Sequence, residues 1–385
     1  MRLVLQAREL LTPLQRVDRP LVFIEDGIVT DVTSAQAREV PAGVRAMDLG
    51  NALLAPGFID MHIHGGAGHD VMEARPESLE AVERLLCSHG VTTYFPTTVT
   101  APLDVTLAAL AGLADAIERA GARSGRAKPV GIHLEGPFIS HARPGVHPLN
   151  DLLPPTLEIF ERFWQAARGH IKVMTIAPEL NGAPEVIAEA ARRGVCVSMG
   201  HSDANLEAAR AGVALGVRHA THIFNAMRPL GHRDPGILGE TLMNEKISAE
   251  IIADGIHVDP LIVSLFLRLK GSEKAVLVTD ATAATGMPNG HYRLGSLQVE
   301  VKDGRCTVGE QLAGSVLTMD QAVRNVVKFT GWNLQQAVRL ATLNPAQATA
   351  LPENAGMLVA GAPANIVVMS STGEVRKTLV DGCVA

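Results

Sequence analysis

Residues 53–64, LLAPGFIDMHIH, then 77–90, ESLEAVERLLCSHG, then 92–99, TTYFPTTV, set the pattern of the chain. The first and third stretches are short and apolar. The middle one repeats leucine and valine at helical spacing and closes on Gly90, where a left-handed cap fits. Strand, helix and strand in that order make a parallel βαβ unit. Further apolar runs follow in PVGIHLEG (129–136), IKVMTIAPE (171–179), GVCVSMGHS (194–202), HATHIFNAM (219–227), ISAEIIADG (247–255) and AVLVTDA (275–281). Alanine-rich amphipathic segments such as 103–121, 183–194 and 205–216 lie between them. Eight such strands over roughly 300 residues predict an α/β fold, a (β/α)8 barrel of the TIM type.

The flanks depart from this alternation. Residues 1–52 read as short β pieces with an Asp26-Gly27 turn, and residues 356–385 as further short strands. Because chain ends often lie close together, they are expected to form one small β-sandwich domain, leaving 53–355 as the barrel. Residues 290–312 read as hairpin strands with an Asp303-Gly304 turn. No self-similar period of 20–50 residues is present, which excludes a solenoid.

The 385 residues are 47% hydrophobic but only 3% aromatic, a balance that suits tight helix-on-strand packing. Lys+Arg 34 against Asp+Glu 40 gives a net charge of −6 without a basic block, so nucleic acid is not an expected partner. No apolar run approaches the roughly 18–20 residues of a membrane span. The first residues lack the pattern of a secretory leader, so a cytoplasmic protein is expected. Cys87, Cys196, Cys306 and Cys383 lie far apart, form no CxxC pair, and are expected to be small buried hydrophobes.

Metal-binding types recur where the strands end, which is where barrel active sites are built. His62 and His64 are two apart on a strand and share a face. Glu135, His201, His222 and Asp280 end four further strands. Any one of them alone reads as an ion pair or a structural histidine; six at corresponding positions of one barrel point to a metal centre. Nitrogen and oxygen donors without thiolate fit zinc, iron, manganese or cobalt, and two donor groups allow one or two ions. His69, His89, His133, His141, His170, His219, His232 and His291 fit no ligand position. His133, on the face of Glu135, is the nearest of them to a supporting role.

PGFIDMHIHG, GIHLEGPF, MGHSDA, ATHIFNAM, IIADGIHV, LVTDA and LAGSVLTMD, closed by NPA and the terminal G-x-L-x-x-G-A stretch, run nearly the length of the chain. With these motifs the chain resembles the amidohydrolase superfamily, and within it the N-acetylglucosamine-6-phosphate deacetylases. The resemblance implies a divalent metal, zinc first, held by Glu135, His201 and His222, with Asp280 as the acid/base beside it. Members differ in the HxH pair, and His62 and His64 would add a second metal position with Glu135 and Asp280. It implies His147 at the acetyl carbonyl, although Pro148 follows it where many members have asparagine. Asn225, Ala226, Arg233 and His257 would bind the phosphate of a small amino-sugar substrate, part of that site coming from a neighbouring subunit of a homodimer. Relatives elsewhere in the superfamily bridge metals with a carbamylated lysine; Lys172 begins a strand here, but the resemblance gives that role to Glu135.

The chemistry expected is hydrolysis of the acetyl amide by metal-activated water, with Asp280 as general base and then acid. Alternatives are N-acetylgalactosamine 6-phosphate as substrate, a cyclic amide hydrolase, and a non-catalytic scaffold. The scaffold is disfavoured because all six metal-type groups are present.

Overall fold

The computed structural model describes residues 2–122 and 125–385; Met1, the first residue of the expected terminal unit, lies outside them. Eight parallel strands follow one another around a barrel: β1 (Phe58–Ile63), β2 (Val91–Thr98), β3 (Ile132–Glu135), β4 (Ile171–Ile176), β5 (Cys196–Met199), β6 (His219–Ala220), β7 (Ser248–Ile251) and β8 (Ala275–Leu277). Each pairs with the next in parallel register, for example Met174 with Val197 and Ala220 with Ala249. Closure between β8 and β1 comes from the residues just beyond β8. Asp280 N–H donates to the His62 carbonyl at 2.9 Å, His64 N–H to the Ala281 carbonyl at 2.8 Å, and Ile63 bridges Ala281.

Helices α1 (Pro76–Ser88), α2 (Leu103–Arg119), α3 (Leu157–Ala166), α4 (Ala183–Arg192), α5 (Leu206–Leu215), α6 (Gly236–Met243) and α7 (Pro260–Lys274) fill the crossovers, and α8 (Met319–Thr330) follows β8. Their starts are written locally. Pro76 and Pro260 stand at first helical positions, while Thr156 and Asn205 accept backbone N–H groups at 3.2 and 2.9 Å as N-caps. In α1, Leu79, Val82 and Leu86 form the buried stripe that covers the strands.

The stretch 53–64, read as one strand, is two. Leu53–Pro56 pairs with Glu9–Leu11 and Ile366–Met369 in a six-stranded sheet of the chain ends, whereas Phe58–Ile63 enters the barrel. Gly57 stands between them, where a Cβ would come within 2.2 Å of Thr92 Oγ1. A second sheet orders Ile28–Ser34, Pro20–Glu25, Arg2–Gln6 and Arg45–Asp48. Leu3, Leu5 and Val22 of this sheet pack with Leu54, Ile366 and Leu379 of the other in one aliphatic core. The Asp-Gly turns fall as expected: Asp26 and Gly27 have φ of 49° and 83°, and Asp303 and Gly304 of 50° and 78°.

Residues 290–312 form a four-stranded antiparallel sheet, Gly290–Leu294, Leu297–Lys302, Arg305–Val308 and Gln311–Leu312, inserted between β8 and α8. Its turn is fixed to the barrel by Gly295 N–H, which donates to Asp70 Oδ2 at 2.6 Å. The cysteines are only in part the buried hydrophobes expected: Cys87 and Cys306 are buried, Cys196 is half-buried, and Cys383 is exposed on a terminal strand.

Candidate active site

The six candidate metal-binding residues converge at one end of the barrel. Glu135 is the last residue of β3, while His201, His222 and Asp280 lie two or three residues beyond β5, β6 and β8. The run HATHIFNAM is a strand only over His219–Ala220, after which the backbone leaves the ladder. His201, His222 and Asp280 have φ of 46°, 25° and 50°, left-handed values that L-residues adopt at a cost. Hydrogen bonds hold each of them there. Ser140 N–H donates to the His201 carbonyl at 2.9 Å, Ser315 N–H to the Asp280 carbonyl at 2.7 Å, and His222 N–H to Glu250 Oε2 at 3.0 Å.

Glu135 is the hub. Its Oε1 lies 3.0 Å from His222 Nε2, 3.3 Å from His201 Nε2 and 3.5 Å from His62 Nε2. Its Oε2 lies 3.2 Å from His64 Nε2, which is also 3.2 Å from Asp280 Oδ1. The two imidazole pairs approach through Nε2, at 3.0 Å for His201 and His222 and 3.3 Å for His62 and His64.

The opposite nitrogens set the protonation of these rings. His201 Nδ1 faces the Arg143 carbonyl at 3.2 Å, His64 Nδ1 the Thr97 carbonyl at 3.1 Å, and His62 Nδ1 the Glu250 carboxylate at 2.9 Å. Each of these acceptors requires N–H at Nδ1, so in the neutral rings three Nε2 lone pairs point at carboxylates and at one another. Such an arrangement is repulsive unless protons or a metal cation lie among them, and nitrogen and oxygen lone pairs converging in this way are a donor set that fits a divalent metal. His147 takes the other tautomer. Its Nδ1 accepts from Thr100 N–H at 3.3 Å and lies 2.7 Å from Thr100 Oγ1, so the proton sits on Nε2.

The same field shifts the titrations. Burial opposes a charged imidazole at His62, but Glu135, Glu250 and Asp280 outweigh it and raise its pKa. For His64, burial is likewise outweighed by Asp280 and Glu135, and its pKa is raised to about 9. His201, where burial dominates, is lowered to about 4. Burial would raise the Glu135 carboxyl, yet His62 and the hydrogen-bonding histidines hold it well below the usual carboxylate range. Asp280 is also lowered, by His62 and His64 against its burial.

Above the cluster opens a cavity of about 650 Å³ lined by His64, Glu135, His147, His201, His222 and Asp280, and farther out by Asn225, Ala226 and His257. His257 Nδ1 is held by Asp254 Oδ2 at 2.7 Å. The Asn225 side-chain amide donates to the His222 and Ile223 carbonyls at 3.1 and 3.3 Å, so its N–H groups brace the loop rather than point into the cavity. Arg233 is exposed and does not line the cavity of this chain, and neither does Lys172. The inserted sheet supplies another wall through Leu294, Arg305, Gln311 and Leu312.

Beneath the cluster lie three buried polar residues, of which sequence reasoning missed the two carboxylates and gave His219 no ligand position. Glu250 and His219 belong to the barrel interior, with His219 Nε2 3.3 Å from Glu250 Oε1. Asp60 bonds Thr279 Oγ1 at 2.5 Å, and burial pushes its carboxyl up to about 7. Two of them carried a signal: Asp60 and Glu250 are carboxylates inside apolar strand stretches, where an unpartnered charge is costly.

The chain is similar over nearly its whole length to known proteins. The N-acetylglucosamine-6-phosphate deacetylase of Lysinibacillus sphaericus is 37% identical, covering 94% of this chain and 92% of its own. The N-acetylgalactosamine-6-phosphate deacetylase of Escherichia coli O157:H7 is 35% identical, covering 99% of both. A mutant N-acetyl-D-glucosamine-6-phosphate deacetylase of Mycobacterium smegmatis, solved with N-acetyl-D-glucosamine-6-phosphate, superposes with a TM-score of 0.93 at 35% identity over 100% of this chain and 99% of that one. The family model described as "Amidohydrolase family" matches residues 53–385, and the chain belongs to that family.

Proposed function

We propose that the protein is a metal-dependent hydrolase that converts N-acetylglucosamine 6-phosphate to glucosamine 6-phosphate and acetate. The observation that carries this reading is the convergence of Glu135, His201, His222, His64 and Asp280 on the wall of one cavity, with His62 against Glu135 and Asp280 behind it and His147 in its donor tautomer. Glu135, His201 and His222 would hold one divalent ion, and His62 and His64, with Glu135 and Asp280, a second. The nitrogen and oxygen donor set fits zinc, iron, manganese and cobalt alike, and zinc is proposed first from the resemblance. When bound, the metal supplies Lewis acidity and activates water at neutral pH.

The chain's own residues do the rest. Asp280 takes a proton from the attacking water as the O–C bond forms, then delivers it to the amide nitrogen as the C–N bond breaks. His147 Nε2–H donates to the acetyl oxygen as negative charge grows there. His257, oriented by Asp254, faces the outer cavity, where a phosphate would lie. Arg233, exposed on its own subunit, would reach a partner's site in a homodimer. That assembly is supported by Leu261, Leu265 and Leu269, which lie exposed along one face of α7. We further propose a small β domain of residues 1–52 and 356–385 beside the barrel domain 53–355, whose first strand Leu53–Pro56 is shared with the sheet of that small domain, and a cytoplasmic location. Among the described residues no helix is long and apolar enough to cross a membrane.

A second reading, the galactosamine epimer, is favoured by the 35% identity to the Escherichia coli relative of that name. Acetate release from both phosphorylated epimers and from the unphosphorylated sugars, with metal analysis of the same sample, tests the proposal. Release is expected to be fastest from N-acetylglucosamine 6-phosphate, to stop on chelation and to return with zinc. No release from either phosphorylated sugar by metal-loaded protein would overturn it.

A further inference from the structure

Beneath the metal-type cluster lies a carboxylate that the reaction does not itself require. Glu250 is on β7, its side chain completely buried, as are those of its neighbours His62 and His219. Its Oε2 accepts two hydrogen bonds, from His62 Nδ1–H at 2.9 Å and from His222 N–H at 3.0 Å, and its Oε1 lies 3.3 Å from His219 Nε2. Its main-chain carbonyl accepts Ile223 N–H at 2.9 Å, so Glu250 grips the backbone on both sides of the His222 side chain. His219, the third partner, is itself fixed by Ser248 at 2.6 Å.

Burying a carboxylate this completely is costly unless every partner is well placed. A neutral acceptor would suffice to satisfy one imidazole N–H. The placement of the charge has a chemical consequence instead: a carboxylate on Nδ1–H fixes the tautomer and makes the opposite nitrogen a better electron-pair donor. Here that opposite nitrogen is His62 Nε2, which faces Glu135 at 3.5 Å and Asp280 at 3.6 Å. The bond to His222 N–H acts on the other half of the cluster, because it helps to hold the left-handed backbone that brings His222 Nε2 to Glu135.

We propose that Glu250 is a positioning residue for metal binding, one carboxylate that orients His62 through its ring and His222 through its backbone. The inference rests on the metal-centre reading above. It is tested by zinc competition against a chromophoric chelator, with elemental analysis, on wild type, His62→Asn, Glu250→Gln and Glu250→Asp. His62→Asn identifies the zinc equivalent that His62 holds. Glu250→Gln keeps the shape and removes the charge, and is expected to weaken that same equivalent by roughly ten-fold or more. In the same variant kcat should fall while KM changes by less than about two-fold, and the metal-free protein should unfold at the wild-type midpoint.

A folded Glu250→Gln protein that binds zinc with wild-type affinity would overturn the proposal. If that variant does not fold, Glu250→Asp replaces it; this change keeps the charge but shortens the reach to His62, and unchanged zinc affinity there would overturn the proposal equally. Wild type that binds no zinc or other divalent ion would instead overturn the metal-centre reading itself.

Discussion

The mouth of the barrel and the two sheets built by the chain ends both bury their side chains almost completely, yet they are made of opposite materials. The terminal sheets bury Leu3, Leu5, Leu10, Leu54, Ile366 and Leu379 on regular strands joined by an Asp-Gly turn. The mouth buries two carboxylates and five imidazoles on residues at and beyond the strand ends, three of them left-handed. Aliphatic burial contributes stability in proportion to area and needs no particular geometry. Burial of charge yields little or no net stability and is held only where partners surround it. The two regions should therefore answer differently to substitution.

The largest expected effect is at the mouth. Asp280→Asn keeps the shape but removes the proton acceptor, and kcat/KM for acetate release should fall by at least about 10³-fold, with the unfolding midpoint within a few degrees of wild type. Activity within about ten-fold of wild type would remove Asp280 from the proton transfer and blur the contrast between the regions.

Leu54→Ala probes the other side. Leu54 is fully buried in the aliphatic core between the sheets, and its truncation should cost about 2–5 kcal/mol in denaturant unfolding. Activity per folded molecule should remain near wild type. A parallel loss of activity and stability would show that the terminal sheets govern the geometry of the site.

A smaller effect sharpens the comparison, because it concerns a buried carboxylate outside the site. Asp320, at the start of α8, accepts from His89 Nδ1 at 3.0 Å and from Arg324 at 2.6 Å; against its burial these partners lower its carboxyl to about 2. A carboxyl held below its ordinary value contributes stability above about pH 4 and loses it as pH falls toward 2. Asp320→Asn should thus cost about 2 kcal/mol at pH 6 and progressively less below pH 4, read from denaturant unfolding across that range. A penalty that does not change with pH would mean that packing, not charge, holds α8.

Much of the barrel was legible because a strand and its covering helix are local: apolar runs, helical stripes and terminal glycines occupy adjacent residues. The Asp-Gly turns were legible for the same reason, since positive φ at both central positions is a property of those residues. The division of 53–64 into two strands was not, because it depends on Leu54 pairing with Val368, more than three hundred residues away. Arg233 and Asn225 show the same limit. Asn225 stands in a matching motif and Arg233 shortly after it, but Arg233 is exposed outside the cavity and Asn225 spends its amide on its own loop.

The sequence by itself determined the alternation, the polar residues at the strand ends and hence the chemistry available at the mouth, because side-chain type and strand polarity are written residue by residue. Only the tertiary structure decided how those groups meet. Barrel closure through Asp280 N–H and the His62 carbonyl brings the first and eighth strands together, and with them the HxH pair and the aspartate. The Arg143 carbonyl and the Thr100 N–H, both on loops, set opposite tautomers on His201 and His147, leaving one a lone pair and the other a proton at Nε2. Glu250 became visible only through its partners, since a carboxylate in a strand acquires a role from what the neighbouring strands place within about 3 Å of it.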